Sequence, residues 1–263
     1  MGLMPDLAYT AAGALTGFVV GLTGVGGGAL MTPLLLLVWG ISPVTAVATD
    51  LWFAAITKLV GAGVHHQAGN VDWKMARHLW MGSLPMAALT AVLMGAWHGQ
   101  WHMPWLQQLI AGVLLFTAIS LVFGPHRLAR HLQSRLGTIR PSPSFHMGAG
   151  VVCGAVLGLL VTLTSIGAGA LGSVFLLLLY PGRMVAHRLV ATDIVHAIPL
   201  SLVAGTGYLL SGLVDMHMLG SLLLGSVPAV LCGSLASSHL RHHSLRSILA
   251  VMLIGSGLKI LLT

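Results

Sequence analysis

Two stretches of this chain, about 140 residues apart, carry the same motifs in the same order. Val25-Gly26-Gly27-Gly28-Ala29-Leu30 returns as Ile166-Gly167-Ala168-Gly169-Ala170-Leu171, and Ala48-Thr49-Asp50 returns as Ala191-Thr192-Asp193. Val71-Asp72 reappears as Val214-Asp215, and Gly82-Ser83-Leu84-Pro85 as Gly225-Ser226-Val227-Pro228. The interval from Asp50 to Asp72 equals that from Asp193 to Asp215, 22 residues. A chain repeated in this way folds as two copies of one unit, and its most informative ground lies where the copies meet. An old duplication without functional content would leave the same pattern. It would not account for aspartates kept inside apolar runs, where lipid makes them costly.

Those runs fix the fold class. Leu7–Trp39, Val44–Val64, Leu79–Ala96, Leu106–Phe123, Met147–Tyr180, Leu189–Leu210, Met218–Ala236 and Leu245–Leu262 mostly reach the length of a spanning helix, roughly 18 apolar residues. Only 6% of the 263 residues are charged, against about 25% in a soluble domain. The sequence therefore predicts an all-α polytopic membrane protein with eight main apolar segments and up to ten helices. The lipid bilayer is its surroundings. A net charge of +7 reads here as topology rather than as a nucleic-acid surface. The first run follows Asp6 with no Lys or Arg before it, so it is read as lacking the start of a cleaved signal peptide. Cys153 and Cys232 lack C-x-x-C spacing and read as buried thiols. The fourteen histidines show no His-x-x-x-His pair, and His65-His66 and His242-His243 are adjacent rather than on one helix face. No metal or other cofactor is expected.

Two runs exceed thirty residues, Leu7–Trp39 and Met147–Tyr180. Each would form a straight helix of about 50 Å, against a hydrocarbon core of about 30 Å. Each also holds a glycine cluster near its middle, Thr23–Gly28 and Ser165–Gly169, where the backbone can reverse. The choice is one tilted helix or a hairpin of two shorter ones. Positive charge selects the hairpin. With the linker Arg127, Arg130, Arg135 and Arg140 placed in the cytoplasm, the hairpin also puts Lys74, Arg77, Arg183, Arg188, Arg241 and Arg246 there, as basic residues prefer. A hairpin plus three crossing helices gives each repeat an odd count, so the second repeat is inverted. Three regions follow: repeat 1 over residues 1–123, a basic cytoplasmic linker over 124–145, and repeat 2 over 146–263. Whether the hairpin arms span fully or are re-entrant stays open at this level, although Ala29–Trp39 is short for a crossing.

The residues able to carry chemistry cluster at corresponding places. A helix broken inside a membrane exposes backbone N–H groups and the positive end of its dipole, which suits an anion without a charged side chain. The turns Thr23, Gly24, Gly26, Gly27, Gly28 and Thr164, Ser165, Gly167, Gly169 are therefore candidates for substrate binding, close packing of small residues being the alternative. Asp50 follows the Ser42-Pro43 helix start by about two turns. A buried carboxylate there is paired, protonated or functional, or else an acid near the interface complementing the helix dipole. Asp193 has His196 three residues on, where a proton could be shared. Lys58 is too far along the helix, about 12 Å, to pair with Asp50 directly. It faces substrate or an acid of another helix. Asp50, Asp193, His196 and Lys58 are thus the ion-coupling candidates. Asp72 and Asp215 read as N-caps in short links, Pro85 and Pro228 as helix kinks, and Trp97, Trp101 and Trp105 as an interfacial belt.

Taken together these residues resemble the sulfite exporter TauE/SafE family. The resemblance rests on the duplicated plan, the Gly-x-Gly-Gly-Gly turn followed by Thr32-Pro33-Leu34, Ala46-Val47-Ala48-Thr49 opening the next helix, and the Gly69-x-Val71-Asp72-Trp73 link. It implies transport of small oxidised-sulfur anions, with a central site lined by the two glycine turns and by Thr49 and Thr192. Many relatives carry a small or hydroxylic residue where this chain has Asp50 and Asp193, which favours ion coupling here.

The leading expectation is a secondary transporter of a small anion, sulfite, a sulfonate or a related organosulfur anion, coupled to protons. A divalent-metal or other cation permease is the alternative, motivated by the aspartates and histidines. Neither a phosphate-binding loop nor a hydrolase motif occurs, so the chain is read as no enzyme and no nucleic-acid partner is expected. The expected place is a multi-pass position in a cell membrane, of the bacterial inner-membrane kind. A homo-oligomer remains open.

Overall fold

The computed structural model describes residues 6–23, 28–64, 71–96, 104–136, 143–167, 169–179, 186–236 and 242–262. The regular structure of these residues is all helical: α1 (Leu7–Thr23), α2 (Gly28–Val38), α3 (Pro43–Val64), α4 (Trp73–Ala96), α5 (Pro104–Phe123), α6 (Pro125–Leu136), α7 (Pro143–Thr164), α8 (Ala170–Leu179), α9 (Ala186–Leu210), α10 (Met216–Ala236) and α11 (His242–Leu262). Six of them are long and apolar enough to cross a membrane, within α3, α4, α5, α7, α9 and α10. The protein is a polytopic membrane protein. The expectation of up to ten helices is short by one: the basic linker itself folds as α6. Within it Leu128 is half-buried and Ala129 buried, despite four charged or imidazole groups in its first seven residues.

Local chemistry sets the helix ends. The Ser42 hydroxyl accepts from the Thr45 N–H at 3.3 Å, and Pro43 is the first helical residue of α3. Asp72 caps α4 through the Met75 N–H at 3.2 Å, and Asp215 caps α10 through the Met218 N–H at 2.9 Å. Their reading as N-caps holds. α5 stops at Gly124, whose φ of 77° turns the chain directly into α6. Pro85 and Pro228 stand inside α4 and α10. Of the three tryptophans read as a belt, Trp105 is exposed, and Trp97 and Trp101 lie outside the described residues.

The halves interlock. The most extensive contacts are α1 with α10 and α4 with α7, each joining the first helix of one half to the fourth of the other. Glycines make that approach possible. A Cβ on Gly17 would sit 2.7 Å from the Ser226 Cα, and one on Gly158 would sit 2.9 Å from the Ser83 Cα. Such closeness is how helices gain packing energy where lipid tails offer no hydrophobic drive. Gly13, Gly17 and Gly21 meet Leu222, Ser226 and Val230 in ascending order, so α1 and α10 run parallel. Gly154 and Gly158 meet Leu79 and Ser83 in the same sense.

α3 and α9 pack together at the centre and run in opposite directions. The Thr49 hydroxyl, near the start of α3, accepts from the Asp215 N–H beyond the end of α9 at 3.2 Å. The Thr192 hydroxyl, near the start of α9, accepts from the Asp72 N–H beyond the end of α3 at 3.0 Å. α2 and α8 are short, 11 and 10 residues, or about 16 Å. They lie against α3 and α9 respectively.

Candidate functional site

Asp50 lies on α3 where α2 crosses it, and it is wholly buried. Thr32, on α2, donates its hydroxyl to Asp50 Oδ2 at 2.5 Å. The other carboxylate oxygen, Oδ1, is buried without a partner among the described residues. Buried polar atoms nearly always have a partner, so an unpartnered carboxylate oxygen is uncommon. Ser165 comes to the same carboxylate from the other repeat, although its Oγ makes no hydrogen bond of good geometry. Ser165 holds a φ of 55°. A non-glycine residue there costs of order 1–3 kcal/mol, a cost met mostly at functional turns.

Asp193 is placed by α9 against α8 and is 6% exposed. A Cβ on Gly172 of α8 would collide with Asp193 Oδ1, so the absence of a side chain there makes room for the carboxylate. That oxygen too is buried without a partner among the described residues. His196 is fully buried one turn along. Its Nε2 lies 3.0 Å from Ser83 Oγ, on α4, rather than on Asp193. Trp80 of the same helix donates its indole N–H to the His196 carbonyl at 3.3 Å. His196 Nδ1 has no partner among the described residues. The imidazole is thus fixed across the repeat boundary, with one ring nitrogen still available.

Lys58 is the buried cation of this region, 8% exposed on α3. It lies within electrostatic range of Asp50, Asp193 and His196. It has no ion pair within 4.0 Å among the described residues. Lys58 is thus under the electrostatic influence of the acids of both halves without contact pairing to either. Its counterpart in the second repeat is Ser201, and that of His196 is Phe53. The two acids obey the repeat, and the two basic groups break it.

The remaining candidates divide. Thr49 and Thr192 are fully buried, and their hydroxyl oxygens serve the links at Asp215 and Asp72. Thr164 closes its own turn, donating to the Leu160 carbonyl at 2.7 Å and accepting from the Ile166 N–H at 3.2 Å. Gly167 has a φ of 107°, and its carbonyl accepts the Leu171 N–H at 2.9 Å and the Gly172 N–H at 3.1 Å. The Ser173 N–H goes to the Gly169 carbonyl at 3.3 Å. Three amide groups at the start of α8 are therefore occupied by the turn itself. Gly24, Gly26 and Gly27 lie outside the described residues. Thr23 and Gly28 close α1 and open α2.

Sequence reasoning missed Thr32, Ser83, Trp80 and Gly172. Thr32 was within reach as a hydroxyl just past the first glycine cluster, as was Ser83 as part of the repeated Gly-Ser. Gly172 and Trp80 carry no local signal, because their roles depend on helices that meet only in the folded chain.

Comparison with known proteins places this architecture. Residues 9–260 match the family described as sulfite exporter TauE/SafE. The chain is 37% identical over 252 residues to "Probable membrane transporter protein YjnA" of Bacillus subtilis, covering 95% of this chain and 97% of that one. It is 28% identical to "Probable membrane transporter protein YdhB" of the same organism, over 84% of each chain. A third relative, "Probable membrane transporter protein y4hK" of Sinorhizobium fredii, is 27% identical over 84% of this chain and 85% of that one. No solved structure matches the chain.

Proposed function

From the premise that the chain belongs to the sulfite exporter TauE/SafE family of membrane transporters, we propose that it is a proton-coupled secondary carrier of a small oxyanion. Sulfite and organosulfonates are the substrate class. The observation that carries this reading is the buried Lys58, within range of two buried aspartates and held by neither in an ion pair. An ammonium in so apolar a place needs an anionic partner, because an uncompensated buried charge is strongly unfavourable.

Charge counting supplies the coupling. One lysine beside two carboxylates is balanced when one aspartate holds a proton. An incoming monoanion is balanced only when the second does as well. Substrate and proton therefore favour each other's binding, and by linkage the effect is reciprocal. Antiparallel α3 and α9 and the exchanged α1 and α7 supply the frame for alternating access by two inverted repeats. The mutual bonds at Thr49 and Thr192 then tie each repeat to the other's link. A carrier of this kind acts by binding and release, and no covalent chemistry is assigned to it.

Purified protein in vesicles tests the proposal. Sulfite or methanesulfonate influx should rise when the outside is made acidic and should carry protons with it. Uptake of divalent metal ions in place of the oxyanions, with the gradient irrelevant to sulfite, would favour the cation permease. Among the described residues no three His, Cys, Asp or Glu side chains come together to hold a metal.

A further inference from the structure

Among the described residues, α6 is the one helix without a counterpart in the repeat, and the carrier reading gives it no task. It follows α5 after a single residue, Gly124, at the sharp turn described above. The end of α5 is apolar and outward-facing, Val122 being 58% and Phe123 59% exposed. Those side chains reach lipid at the edge of the hydrocarbon, so α6 begins at the depth of the headgroups. It then packs against α8, with Ala129 buried. Arg127, Arg130 and His131 are exposed on it. α6 contains no acidic residue.

We propose that the outer face of α6 is a binding surface for anionic phospholipid headgroups, with Arg127 and Arg130 as its principal contacts. The argument is charge complementarity at a fixed depth. A basic face lying in the interface attracts anionic lipid, each arginine there contributing roughly a fivefold preference. Guanidinium also binds phosphate oxygens in paired hydrogen bonds, which suits a lipid phosphodiester. Behind this surface α6 rests on α8, whose Gly172 lies against Asp193. The lipid surface stands on the fold and the membrane, independent of the substrate assignment.

The test uses the full chain with Cys153→Ser, Cys232→Ser and Ser134→Cys, labelled with a fluorophore at the exposed position 134. It is reconstituted in phosphatidylcholine vesicles containing a small fraction of headgroup-nitroxide lipid. Quenching by labelled phosphatidylglycerol should exceed that by labelled phosphatidylcholine several-fold, and the excess should shrink as salt rises. Arg127→Gln with Arg130→Gln should abolish most of that several-fold preference, and Arg127→Lys with Arg130→Lys should restore most of it. Inorganic phosphate at millimolar concentration should not compete, which separates the lipid from the free ion. Equal quenching by both lipids, or a preference unchanged by salt, would overturn the proposal even if the double glutamine variant failed to fold.

Discussion

At the scale of single residues, the site is defined by what it leaves unpaired. Asp50 is held at one oxygen by Thr32 and left orphaned at the other, whereas Asp193 is accommodated by a missing side chain at Gly172. Two variants separate these arrangements. Thr32→Val removes a hydroxyl from a buried acid, a loss of about 1–3 kcal/mol at that carboxylate. It should alter the pH dependence of sulfite flux while leaving the helical content, read by circular dichroism, in place. Gly172→Ala introduces a methyl group where Asp193 Oδ1 stands, so flux per folded molecule should fall at least tenfold. Unchanged flux would mean that the Asp193 carboxylate can move aside without consequence. Asp193→Asn mimics the protonated acid. It should retain sulfite exchange at equilibrium and lose acceleration by a pH gradient.

At the scale of elements, pairing by close approach dominates. Gly158→Leu would drive a side chain into the Ser83 backbone and should destabilise the fold by about 1–3 kcal/mol, seen as a lower thermal midpoint in detergent. Thr192→Val leaves the Asp72 N–H without its acceptor, a cost of about 1–3 kcal/mol. Thr49→Val should cost a similar amount through Asp215. The helices themselves were legible from the sequence. Long apolar runs, Ser42-Pro43 and the acids at Asp72 and Asp215 located starts that the backbone adopts. α6 was not, because four arginines and a proline-flanked segment read as a solvated link, and its apolar face acquires meaning only against α8. The same limit applies within the site. Repetition pointed to Asp50, Asp193, Thr49 and Thr192, but the exchange by which each threonine serves the opposite half depends on which ends of α3 and α9 meet.

At the scale of the whole molecule, the proposed inversion predicts sidedness. In a Cys153→Ser, Cys232→Ser background, Ser42→Cys should react with an impermeant thiol reagent from outside intact cells. Ala186→Cys should react only after the membrane is opened. The reverse pattern, or labelling of both from one side, would remove the inverted arrangement. The central claim of the proposal is that Lys58, within electrostatic range of the acids of both halves, supplies the positive charge for the substrate anion. The most direct measurement is equilibrium binding of radiolabelled sulfite to purified protein, comparing the native chain with Lys58→Met. The native protein should bind saturably and more tightly at acidic pH. The variant should keep its helical content and thermal midpoint while binding at least a hundredfold more weakly. Equal sulfite affinity in a well-folded Lys58→Met protein would contradict the account.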